Sequence, residues 1–201
     1  MTKEKQDATT PEIALQVLKE GNKRFVANTM FNQNLMVRVT KTSEAQYPIA
    51  IVLSCIDSRS PTELIFDQGV GDVFNARVAG NVVDSDILGS MEFACKVSGA
   101  KLILVMGHSN CGAVRGACDE VVLGNLTGLL EKIKPSIKKI EAEDKSSGNT
   151  EFVERVAKEN VFNTIEMIRL KSPILKEMEE AGKIEVKGAM YDLETGIVTF
   201  Y

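Results

Sequence analysis

The chain reads as an α/β protein: a mostly parallel central β-sheet flanked by helices, with an N-terminal helical arm and a C-terminal antiparallel hairpin. Three observations predict it. Residues 49–54 and 101–106 are short, almost uncharged, apolar runs, the pattern of strands covered on both faces. Helical stripes alternate with these runs, as right-handed parallel crossovers require. Residues 184–191 and 197–201 alternate around Glu194-Thr195-Gly196 like the arms of a hairpin.

In chain order, residues 1–9 read as a flexible arm. Thr10-Pro11-Glu12 opens a helix with a Thr N-cap, Pro at the first helical position and an acid in the first turn. Ile13, Val17, Leu18, Phe25 and Val26 form its stripe, weakened in the middle by Gly21. Such a helix packs either on a partner subunit or on its own sheet. Residues 28–47 are polar and irregular. The first buried strand follows, then a short helix from Ser60-Pro61, and a second strand from Asp72 to Arg77. A helix over 86–98 is capped by Asp84 or Ser85 and stopped by Gly99. After the third strand at 101–106, residues 112–123 are small and helix-compatible. Helices are expected over 126–144 and 151–170, and a short one from Pro173 to Gly182.

The 201 residues suit one domain, 1–201, with ample core. Charged residues make up 26% and hydrophobic residues 44%, ordinary values for a globular protein. A net charge of -4 gives no electrostatic reason to expect nucleic acid or an anionic membrane as partner. No run has the length of a transmembrane helix, and the polar N-terminus lacks a signal core, so a cytoplasmic location is expected, or a periplasmic one if a signal peptide was removed. Cys95 and Cys118 fall in helical patterns and read as structural.

The chemistry gathers at the ends of the two buried strands. The first empties into Cys55-Ile-Asp57-Ser-Arg59, the second into His108-Ser-Asn-Cys111-Gly112. In open parallel sheets, sites form where strands end at their C-termini. Two thiols, an Asp and the only histidine of the chain are a zinc-ligand set. Taken singly, each has a plainer reading: a small core cysteine, a satisfied strand-end histidine, a loop salt bridge. Their convergence favours a metal site.

Cys55-x-Asp57-x-Arg59 followed by His108-x-x-Cys111 resembles the β-class carbonic anhydrases. Gly21-Asn-Lys-Arg-Phe25, Arg77-Val-Ala-Gly-Asn81 and Gly188-Ala-Met-Tyr-Asp192 resemble further segments of that family, so the likeness covers roughly residues 11–200. It implies one Zn2+ per chain held by Cys55, His108 and Cys111, with Asp57 as a fourth ligand in a closed form. It implies reversible hydration of carbon dioxide to bicarbonate and a proton by zinc-bound hydroxide, oriented by Asp57 and Arg59. Gln46, Gly112, Phe74, Ala79 and Phe93 fall at substrate-facing positions. A homodimer or tetramer is implied, with the active site at the subunit interface. The family contains an open type and a type that closes when bicarbonate fills a second pocket associated with a tryptophan. This chain has no Trp, and with Gln46 it matches the open type.

The residues suit that chemistry. Two thiolates and a neutral imidazole cancel the charge of a dipositive ion and leave it less electrophilic than three imidazoles would, so surrounding groups must help. Arg59 can grip Asp57 in a two-pronged ion pair that keeps it ionised and off the metal. Two other readings share the ligands: a carbon disulfide or carbonyl sulfide hydrolase on the same fold, and a non-catalytic structural zinc protein. No second histidine is available as a proton shuttle.

Overall fold

A computed structural model describes residues 2–201. Five strands form its sheet: β1 (Ala50–Ser54), β2 (Val73–Arg77), β3 (Leu102–His108), β4 (Glu185–Tyr191) and β5 (Val198–Phe200). Their spatial order is β2-β1-β3-β4-β5. The first four strands run parallel, and β5 turns back antiparallel on β4. The expected mostly parallel sheet and closing hairpin are both present. β1 and β3 are buried at every residue, which is why their sequences carry apolar side chains toward both faces.

The helices are α1 (Lys3–Asp7), α2 (Pro11–Val26), α3 (Leu35–Thr42), α4 (Thr62–Ile65), α5 (Ser85–Glu92), α6 (Gly112–Cys118), α7 (Gly124–Glu131), α8 (Lys134–Lys139), α9 (Thr150–Lys171) and α10 (Pro173–Glu180). Side chains alternate across the sheet with period two. Val52, Leu102 and Leu104 meet Ala14 and Leu18 of α2 on one face. Ile51, Leu53, Ile103 and Val105 meet Met91 of α5 and Val161, Ile165 and Ile168 of α9 on the other. Each such fully buried aliphatic side chain contributes roughly 1.5–3 kcal/mol of burial. A third cluster at the C-terminal edge joins Cys55 and Cys111 to Val114, Ile133, Phe152 and Val156.

Several boundaries differ from expectation, for identifiable reasons. Lys3–Asp7 is helical rather than a flexible arm, and Met1 lies outside the described residues. Gln6 is buried there because its amide donates to the carbonyls of Pro48 and Ser98, both at 2.8 Å. α3 occupies part of the segment read as irregular and buries none of its residues. α2 covers its own sheet, and Gly21 is a contact point: a Cβ there would lie 1.8 Å from the Phe66 carbonyl oxygen. The helix expected over 126–144 breaks into α7 and α8, with Pro135 in the first turn of the second. α5 runs into a π-helical turn, Phe93–Val97. Asp84 is the cap of α5, its Oδ1 accepting from the amides of Asp86 and Ile87. Among the described residues, no helix is long and apolar enough to cross a membrane.

Candidate active site

Strand pairing builds the site. Ser54, the last residue of β1, stands opposite Met106 of β3. β1 then delivers Cys55, and β3 runs on to His108, its final residue. Cys111 follows three residues later as the N-cap of α6. The Sγ atoms of Cys55 and Cys111 and a ring nitrogen of His108 all lie within 4.8 Å of one another. All three residues are buried.

The imidazole is oriented. His108 Nδ1 donates to the Ser109 carbonyl at 2.8 Å. Ser109 is itself pinned, its N–H donating to Tyr191 O and its Oγ accepting from Leu193 N. Nε2 is thereby left as the nitrogen with a free lone pair, and it is buried without a hydrogen-bond partner. Such an orphan costs about 1–3 kcal/mol. A soft or borderline divalent cation between Nε2 and the two sulfurs removes that cost, so the residues fit zinc.

The thiols are electrostatically linked. The neighbouring Cys111 thiol draws Cys55 down against the opposing effect of burial, with His108 and the Gly80 amide assisting. The same contact with Cys55, together with burial, pushes Cys111 far up. For His108, burial disfavours the charged ring, but the Cys55 thiolate outweighs it and the net shift is upward. Cys95 has no such partners, and burial alone raises it to about 12.

Asp57 faces this cluster but stays outside it. Arg59 Nε donates to its Oδ1 at 2.9 Å and Nη2 to its Oδ2 at 2.7 Å. This fork, against some burial, holds the Asp57 carboxyl well below the usual carboxylate range. Oδ2 stands 4.0 Å from His108 Nε2. Arg77 clamps the loop from beneath, donating to the carbonyls of Cys55 at 3.0 Å and Asp57 at 2.5 Å.

The remaining predicted residues divide into two groups. Ala79 and Gly112 adjoin the centre. Ala79 precedes Gly80, whose N–H donates to Cys55 Sγ at 3.4 Å, and Gly112 follows Cys111 with open space where a Cβ would be. Gln46, Phe74 and Phe93 are not brought to the triad of their own chain. Gln46 is exposed on the loop before β1, at the opposite edge of the sheet from Cys55. Phe74 pairs with Ile51, four residues short of Cys55. It meets Phe93 edge-on at 6.2 Å, and both line an outer groove of about 510 Å³. Sequence reasoning missed Asn160, whose Nδ2 donates to Gly80 O at 2.7 Å. The available signal was a polar residue among the inward-facing apolar positions of α9.

The parallel α/β sheet thus carries at its C-terminal edge a buried Cys–His–Cys cluster whose donor atoms could hold a metal ion. The carbonic anhydrase family profile matches residues 50–198. The chain is 37% identical over 194 residues to carbonic anhydrase 2 of Mycobacterium tuberculosis, covering 94% of this chain and 91% of that protein. It is 34% identical to the carbonic anhydrase of Mycolicibacterium smegmatis, with 94% and 93% covered. The β-carbonic anhydrase CafA of Aspergillus fumigatus matches with a TM-score of 0.72 at 26% identity, over 93% of this chain and 90% of that one. A tetrameric β-carbonic anhydrase of Sordaria macrospora matches with a TM-score of 0.70 at 26% identity, over 82% and 89%. The chain belongs to the β-class carbonic anhydrases.

Proposed function

We propose that this carbonic anhydrase hydrates carbon dioxide reversibly to bicarbonate, with one zinc ion held by Cys55, His108 and Cys111. The observation that carries the reading is the buried, unpartnered Nε2 of His108 facing two free thiols. Zinc supplies the Lewis acidity that brings the ionisation of water to near-neutral pH. Asp57 accepts a hydrogen bond from the attacking oxygen and turns its lone pair toward the carbon. Arg59 occupies both Asp57 oxygens and so keeps the carboxylate ionised and away from the metal, which supports the open form of the site. Gly112 and Ala79 border the substrate space, Gly112 offering an amide at the opening of α6.

The active unit is a homodimer or a multiple of one. Gln46, Phe74 and Phe93 then complete the substrate pocket of a neighbouring subunit. Their distance from their own triad supports this, as does the exposed apolar surface of Leu35, Met36, Val37 and Val39 on α3. The Sordaria macrospora relative is tetrameric.

The deciding experiment is stopped-flow CO2 hydration on protein of known zinc content, from about pH 6.5 to 9 around the expected ionisation of water. Activity should track zinc and rise with pH. A steep cooperative loss below about pH 8 would overturn the open form. One zinc per chain with carbon disulfide turnover and no CO2 turnover would overturn the substrate.

A further inference from the structure

Gly80 joins the metal centre to the interior of the molecule through two hydrogen bonds. Its N–H donates to Cys55 Sγ at 3.4 Å and its carbonyl accepts from Asn160 Nδ2 at 2.7 Å. The turn that holds it is not one the chain adopts by local preference. Gly80 has φ of 69° and the next residue, Asn81, has φ of 43°. Two successive left-handed residues cost energy, the second more because it carries a side chain. A Cβ on Gly80 would also come within 2.7 Å of Ile133 Cδ1. The turn therefore has to be held from outside.

α9 holds it. Besides the Asn160 bond, Thr164 Oγ1 donates to Asn81 O at 3.2 Å. Asn160 is 0% exposed, one helical turn from Val156 on the face that packs beneath the site. A buried amide is costly unless both its ends are used. Here Nδ2 serves Gly80 and Oδ1 accepts from Ser136 Oγ at 3.5 Å.

We infer that Asn160 is a positioning residue of the metal centre: by fixing the Gly80 peptide it aims that amide at the Cys55 sulfur. The inference rests on Cys55 being a zinc ligand. An N–H pointed at a thiolate sulfur withdraws charge from it and fixes its direction, and both effects prepare the sulfur for the ion. Thr164 provides the contrast. It holds the same turn at Asn81, one residue further from the sulfur.

The test compares Asn160→Leu with Thr164→Val in the full chain, by zinc affinity in competition with a chelator and by thermal unfolding. Both variants lose a buried hydrogen bond and should melt earlier. Only Asn160→Leu should bind zinc more weakly, by about 10- to 100-fold. Unchanged affinity in Asn160→Leu, or the same loss in both variants, overturns the inference. Should Asn160→Leu fail to fold, 113Cd-loaded, 15N-labelled wild-type protein carries the test. The Gly80 amide proton should show scalar coupling to cadmium across the N–H···S bond, and a resolved Gly80 amide without it overturns the assignment. Failure of the zinc reading is told apart, because wild-type protein would then bind no zinc at all; that result removes this inference as well.

Discussion

Cys55, His108 and Cys111 are 4%, 1% and 1% exposed, whereas the side chain of Arg59, a few residues from Cys55, is 58% exposed. The Cys–His–Cys half of the site is placed by the core: two buried parallel strands, a helix start and a backbone carbonyl that sets the histidine tautomer. The polar half is placed by charge at the surface, where one guanidinium grips one carboxylate. In the proposed reading, the first half determines whether an ion is held at all. The second restrains the Asp57 carboxylate beside the cluster. Changes in the two halves should therefore fail in different ways.

The largest effect is expected in the buried half. His108→Ala or Cys111→Ser should abolish zinc binding and lower CO2 hydration by about 10³-fold or more, since water without the metal ionises near pH 15.7 rather than near 7. Zinc content and turnover measured on the same sample check this. Arg59→Ala comes next. It should keep the zinc but lose activity by about 10²-fold, because Asp57 is no longer held in place. Near-normal turnover with zinc retained would sink the proposed role of the pair.

A smaller effect separates cis from trans completion of the pocket. Gln46→Ala should lower kcat/KM about tenfold, the scale of one hydrogen bond to a charged or polarised partner. Mixed with His108→Ala subunits, it should regain activity, because one site of the mixed dimer then pairs an intact triad with a Gln46 from the other chain. No regain would mean that each chain uses its own Gln46.

The smallest effect concerns stability. Asp57 has a depressed folded-state pKa, so its contribution is fully present above the unfolded value of about 3.9 and is lost as pH falls through the folded value. In zinc-free protein, urea unfolding should show a wild-type advantage over Arg59→Ala that is constant above about pH 5 and shrinks below about pH 4. An advantage that grew on acidification would contradict the assignment of the pair.

Much of this was readable in the chain, and what was not has physical causes. β1 and β3 were legible because burial on both faces demands unbroken apolar runs. The triad was legible because the only histidine follows one such run and a cysteine ends the other. α1 was illegible because five residues do not make a helix by propensity; Gln6 anchors it through carbonyls some 40 and 90 residues away. The break between α7 and α8 hid behind an apolar stripe that continues across the bend. Asn160 was hidden because its meaning lies in Gly80, which only the folded chain brings to it.

The stagger between β1 and β3 has a consequence for folding. Ser54 stands opposite Met106, with Cys55 one residue beyond the first and His108 two beyond the second. A one-residue slip would turn every β3 side chain to the opposite face. His108 would then point away from both sulfurs. A metal held as proposed would therefore act as a gauge of strand registry: only a correctly paired sheet would bring its donors together, and the free energy of capturing the ion would favour that pairing over its nearest competitors.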